Sequence, residues 1–124
     1  MGEISRLFDQ QNLLLQELKG FVFFHDYKGE ITRVSKEVES VLGHSIEEFV
    51  DAFKVDSVHP QANLVKSQTI KALTEGKDFV DLEYDFVKPN GEKIWVRVFE
   101  RLIFDLQGRF SGGMGIGTDI TAQY

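Results

Sequence analysis

Apolar positions near the start of the chain recur every three or four residues. Ile4, Leu7, Phe8, Leu14, Leu15 and Leu18 fall on one face, interrupted by Gln11, and predict a helix over residues 3–19 that Gly20 stops. The stripe covers about two heptads, too few to make a coiled coil by themselves. It reads either as a helix packed on its own domain or as one that pairs with a second copy through Ile4, Leu7, Phe8, Leu14 and Leu18. Beyond Gly20 the period changes to two. Phe21–Asp26 and Glu30–Val34 predict strands joined by the turn Asp26-Tyr27-Lys28-Gly29. Ser35 can cap a short helix running to Leu42, with Gly43 at its stop. Ser45-Ile46-Glu47-Glu48 has the spacing of a capping box, and Phe49, Val50, Phe53 and Val55 suggest short helical turns. His59-Pro60 opens a longer helix reaching Glu75, closed by Gly76.

The last third alternates. Val80, Leu82, Tyr84 and Phe86 interleave with Phe79, Asp81, Glu83 and Asp85, so one face is apolar and the other acidic. Asn90-Gly91 marks a hairpin turn. Lys93–Asp105 reads as a long strand. Its even face carries Ile94, Val96, Val98, Glu100, Leu102 and Phe104; its odd face carries Trp95, Arg97, Phe99, Arg101 and Ile103. After a turn at Leu106-Gln107-Gly108-Arg109, Phe110–Asp119 forms the last strand. Ser111, Gly113, Gly115, Gly117 and Asp119 share one face, and Phe110, Gly112, Met114, Ile116 and Thr118 the other. Five strands in local hairpins, with the helices grouped between them, predict an α+β class with an antiparallel sheet.

Length and charge narrow the function. At 124 residues the chain is one domain. Its 11 Phe must fill a core, line a cavity or form an interface. The absence of Cys excludes disulfides, thiolate catalysis and cysteine-ligated zinc. Twenty acidic against 14 basic residues leave a net charge of −6, and the bases are scattered, so no direct nucleic-acid partner is expected. No apolar run reaches the length of a membrane span, and the N-terminus is not a secretory signal, which makes a cytoplasmic protein the expectation. His25, His44 and His59 have no ligand-like spacing, and no metal site is expected. Asp81, Glu83 and Asp85 read as a solvated face. Gly113-x-Gly115-x-Gly117 lacks the following helix and the Gly-Lys-Ser/Thr of a phosphate loop.

The order of the turn motifs resembles a known family. Phe86 through Gly91, Ile94-Trp95-Val96, Asp105-Leu106-Gln107-Gly108 and Gly115-Ile116-Gly117-Thr118-Asp119-Ile120-Thr121 are similar to the C-terminal half of a PAS domain. Gly29-Glu30-Ile31, Val34-Ser35, Val41-Leu42-Gly43-His44-Ser45-Ile46-Glu47-Glu48-Phe49 and Val58-His59-Pro60 resemble its first half. Two positions depart from the pattern: Ser35 stands where Asn is usual and His44 where Tyr is usual. The resemblance implies a five-stranded antiparallel sheet of order 2-1-5-4-3 with helices on one face. It implies a domain over 20–121, with residues 1–19 as a flanking helix before it and residues 122–124 as the start of a linker to an output domain. A GGDEF diguanylate cyclase or a histidine kinase is the expected output, so this chain is expected to be a sensor and not an enzyme. Asp119, Ile120 and Thr121 would pass the signal on.

The resemblance also places a ligand pocket between the inner sheet face and the helices. Its candidate lining is Phe53, Leu82, Tyr84, Phe86, Val96, Val98, Glu100, Gly113, Gly115 and Gly117. Phe53 lies where the flavin-binding LOV subfamily carries its photoreactive Cys, so covalent flavin photochemistry is excluded. Residues 60–75 hold neither His nor Met, which argues against haem ligated from the long helix. The cofactor is otherwise unknown. The glycines of the last strand could leave room for a ligand; the ordinary reading is that they let bulky groups pack closer, with Phe49, Phe53 and Phe86 available to fill the space. Glu100 on an apolar face must pair with a base, hold a polar ligand or sit at the rim, and a rim position or an Arg partner is the ordinary reading. Two functions lead: a sensor that binds a small ligand, and a ligand-free module that homodimerises through residues 3–19 and the outer face of Trp95, Phe99, Met114 and Ile116. A small enzyme using Glu100 as its base is a distant third.

Overall fold

Turn chemistry sets the strand pairing. In the first turn the Asp26 carboxylate accepts the backbone N–H groups of Lys28 and Glu30 at 2.9 and 3.0 Å. In the last, Asp105 does the same for Gln107 and Arg109, both at 2.9 Å. Each Asp satisfies donors that a tight reversal would otherwise leave unpaired. The structure, a computed structural model, describes residues 19–124. The helix expected over residues 3–19, with Ile4, Leu7, Phe8, Leu14 and Leu18, lies outside the described residues but for Lys19.

The strands are β1 (Gly20–Asp26), β2 (Ile31–Val34), β3 (Phe79–Val87), β4 (Lys93–Phe104) and β5 (Phe110–Asp119). They form one antiparallel sheet of order β2-β1-β5-β4-β3. Between β2 and β3 run α1 (Val38–Leu42), α2 (Ile46–Ala52) and α3 (Pro60–Thr74). Val38, Val41 and Leu42 from α1, Phe49 from α2 and Ala62 and Val65 from α3 meet Phe21, Phe23, Val96 and Val98 of the sheet in one core. A smaller cluster of Ala72, Val80 and Leu102 closes the far end. The α3 residues turned inward, Ala62, Val65, Thr69 and Ala72, are small and recur every three or four positions, which seats the helix low on the sheet.

The capping box forms as read. Ser45 Oγ accepts from Glu48 N at 3.1 Å and Glu48 Oε1 accepts from Ser45 N at 2.9 Å. The His59 ring caps α3 by accepting from Ala62 N at 3.2 Å, with Pro60 in the first turn. Gly43 ends α1 in the left-handed region, φ +78°.

Two local readings are corrected. Ser35 does not cap α1: its hydroxyl accepts from Val22 N of β1 at 2.9 Å, and α1 begins three residues later with Glu37 as its uncapped first flank. Phe110 is not on the outer face. The β4–β5 register shifts between Ile103 and Phe104, where Ile103 pairs with Gly112 and Phe104 with Phe110. That bulge inverts the alternation. Gly112 takes φ +151°, and Phe110 turns inward against the Ala72–Val80–Leu102 cluster.

Candidate functional site

The glycine face of β5 is filled. Gly117, Gly115 and Gly113 sit directly opposite Phe21, Phe23 and His25 of β1. A Cβ at Gly115 or Gly117 would run into the Phe23 or Phe21 ring, and one at Gly113 into Glu100 and His25. The neighbouring strand therefore supplies the volume the glycines lack. Phe49 and Phe53, named from the sequence as fillers, pack on these rings: Phe49 meets Phe21 edge-on at 5.4 Å between centroids, and Phe53 stacks on Phe23 at 6.3 Å. Phe21 and Phe23 were missed because nothing local in β5 says which residue of β1 stands opposite.

Glu100 is neither at the rim nor paired with an Arg. It is 0% exposed. One oxygen hydrogen-bonds the His25 ring Nε2, and the other accepts from the Thr69 hydroxyl at 3.1 Å. The second ring nitrogen, His25 Nδ1, meets the Asp26 carbonyl at 2.8 Å, so both ring nitrogens act as donors when the ring is charged. Burial by itself lowers the His25 pKa; the hydrogen bond and charge of Glu100, with Asp26, outweigh it, and the net shift is upward. The residues are 75 positions apart, which is why spacing could not reveal the pair. With its oxygens occupied, Glu100 is a structural group and not a poised base.

An open cleft of about 550 Å³ lies elsewhere, between α2, the segment after it, the start of α3 and β3. Phe49, Ala52 and Phe53 form one wall, Tyr84 and Phe86 a second, and His59 and Ala62 a third. His44 stands at the edge, its ring 5.6 Å from Phe86 and 6.3 Å from His59. Burial, then the charge of His44, lowers the pKa of His59. Its Nδ1 is used by the helix cap, which leaves Nε2–H as a donor. Burial pushes the Tyr84 phenol up to about 12, so it stays a protonated donor at neutral pH. The arrangement offers an aromatic, largely apolar surface with a few hydrogen-bonding groups, the makeup of a small-molecule site.

Of the predicted lining, Phe53, Tyr84 and Phe86 border this cleft. Leu82 packs against the core, Val96 and Val98 are buried within it, and Glu100, Gly113, Gly115 and Gly117 are occupied as described. His44 and His59 were read singly and missed as neighbours, since they stand 15 positions apart with both ends of α2 between them. Among the described residues no three His, Asp or Glu form a metal cluster, and no helix is long and apolar enough to cross a membrane.

The C-terminal Asp119-Ile120-Thr121 is tied to β4. Ile120 N donates to Trp95 O at 2.8 Å, and Trp95 N donates to Thr121 Oγ1 at 3.0 Å. The Thr121 hydroxyl in turn donates to Asp119 at 2.5 Å. Tyr124 stacks on Trp95 at 4.5 Å and its hydroxyl donates to Glu83.

Comparison with known proteins gives a consistent picture. Residues 19–122 match the profile of the PAS domain family. Sporulation kinase C of Bacillus subtilis (strain 168) is 27% identical over 120 residues, covering 94% of this chain; the chain spans only 27% of that kinase's length. The fold is similar to the PAS domain of a Colwellia psychrerythraea protein (TM-score 0.65, 19% identity, covering 94% of this chain and 98% of that one). It is also similar to a sensory box histidine kinase/response regulator from Burkholderia thailandensis (0.64, 17%, 92% and 86%). A third likeness is the N-terminal domain of a diguanylate cyclase with PAS/PAC sensor from Marinobacter aquaeolei (0.63, 17%, 84% and 97%).

Proposed function

The chain belongs to the PAS domain family, and on that premise we propose that it is a ligand-binding sensor whose site is the cleft between α2, α3 and β3. The observation that carries this reading is the aromatic cleft of about 550 Å³, open beside the packed core. A small planar molecule suits the walls of Phe53, Tyr84 and Phe86, with His59 Nε2–H and the Tyr84 phenol as donors. The signal would leave through Asp119, Ile120 and Thr121, where the bonds of Ile120 and Thr121 to Trp95 couple the end of β5 to β4. The mechanism is differential affinity: a ligand preferring one arrangement of cleft and sheet shifts the population of that arrangement. In this reading the domain covers residues 20–121 and regulates a histidine kinase or a GGDEF diguanylate cyclase, as the kinds of protein it resembles suggest.

Native mass spectrometry of the freshly purified chain, with an absorption spectrum of the same sample, tests the site. The expected result is a retained small-molecule mass that Ala52→Trp expels while the fold is kept. A retained molecule that Ala52→Trp leaves in place would sink the assignment of this cleft.

A second reading has its own observation. Met114 and Ile116 on the outer sheet face are 38% and 40% exposed, beside Phe99 and Trp95. A bare protein that forms concentration-dependent dimers, lost on Ile116→Glu, would make homodimerisation through that face the function.

A further inference from the structure

Glu37, at the first flank of α1, is 3% exposed, yet neither of its carboxylate oxygens has a hydrogen-bond partner among the described residues. A carboxylate removed from water with its lone pairs empty is costly, and native proteins almost always supply a partner. Glu37 lines a second, polar cleft of about 310 Å³ where the chain enters β1 and leaves β5. The other charged groups there are accounted for. Lys88 is paired with Glu92 at 3.2 Å, and Asp119 accepts from the Thr121 N–H and hydroxyl at 2.9 and 2.5 Å. Lys19 stands exposed at the edge. Among the described residues, the open hydrogen-bonding capacity at this cleft is thus a buried carboxyl group facing a space of small-molecule size.

We propose that this cleft is a second ligand site that takes an organic cation bearing N–H donors, an alkylammonium or alkylguanidinium, with Glu37 as its anchor. Donors are required because the carboxylate must be both neutralised and hydrogen-bonded to sit at that depth. A quaternary ammonium brings charge without donors and does not serve. The cleft is lined at its ends by Gly20 and by Ser40 and Val41, so occupation would be felt at both the entry to β1 and α1. It lies apart from the aromatic cleft and shares none of its lining.

The test is a titration of the nitrogen-15-labelled full chain, followed by amide shifts, with propylguanidinium and with tetramethylammonium at matched ionic strength. The expected result is saturable shifts at Gly20, Ser40 and Val41 with propylguanidinium and none with tetramethylammonium. Glu37→Gln should weaken binding by about tenfold or more. Ser40→Phe, at an exposed position on the lining, should block the probe without touching the carboxylate. Absence of saturable shifts in the unaltered chain overturns the proposal, as does an undiminished response in a folded Glu37→Gln or Ser40→Phe protein. Binding seen only in Lys19→Met also overturns it, because the chain's own lysine would then be the occupant.

Discussion

Across the β1–β5 seam, aromatic rings lie on glycines, and only a smaller pocket of about 180 Å³ remains beside Phe23 and His25. Along β3, aromatic rings line a cleft that stays open. Both regions use Phe heavily, and both back onto the same sheet. The difference lies in what stands opposite. In the seam, Phe21 and Phe23 face Gly117 and Gly115 in register, so the void left by a missing side chain is taken by its cross-strand neighbour. At the cleft, the segment between α2 and α3 and the residues Tyr84 and Phe86 of β3 border one open space, and Ala52 and Ala62 on its lining offer little side-chain volume to fill it. Small residues on a strand thus do not by themselves make a pocket; an uncompensated gap between layers does.

The contrast can be broken most strongly at the buried pair that closes the filled region. Glu100→Ala should destabilise the domain by about 3 kcal/mol or more, because it strands His25 without its partner. Urea unfolding checks this, and a loss near zero would mean the pair contributes little. The same pair imposes a pH dependence. His25 has a folded-state pKa above its ordinary 6.5, so it binds its proton more tightly folded than unfolded. Its stabilisation is fully present below 6.5 and is lost as pH rises through the higher folded value. Melting temperature followed upward from that point should fall, and His25→Gln should flatten the fall.

Next in size is Gly115→Val, which drives a branched side chain into the Phe23 ring and should cost about 1–3 kcal/mol. A melting temperature unchanged by this substitution would show that the seam can yield, and the comparison would lose its filled half. Ser45→Ala removes the capping box that orients α2 beside the cleft and should cost about 1 kcal/mol, read in the same unfolding experiment. The smallest effect belongs to Ala52→Trp. Placed on the wall of the open cleft, it should change stability by no more than about 0.5 kcal/mol, while a large loss would mean the space is not there to be filled.

The strand count, the three hairpin turns and the Ser45 box were legible because each depends on neighbours in sequence. Alternation assigned β3 and most of β4 correctly. It failed at Phe110, where one extra residue in β5 reverses every face before it, and no pattern in Phe110-Ser111-Gly112-Gly113 announces the bulge. Ser35 failed differently: its residue type suits a cap, but the nearby β1 backbone offered a competing donor at Val22. Glu100 was recognisable as anomalous, and pairing with a base was one of three readings, beside a polar ligand and a place at the rim. The partner's identity did not follow, since His25 comes to it only through the register of β1 on β5 and of β5 on β4. The cleft itself is a property of how layers stand apart, and sequence spoke only to which residues would border it.

The ladder of glycines and rings across the seam has a consequence over the history of the sequence. Phe21 with Gly117, Phe23 with Gly115, and His25 with Gly113 each fill one shared volume. A larger residue at one member is tolerated only once its partner has shrunk. Relatives of this chain should therefore drift at these positions in matched exchanges, large for small across the same rung, and a lone enlargement at Gly115 should be rare unless position 23 has changed with it.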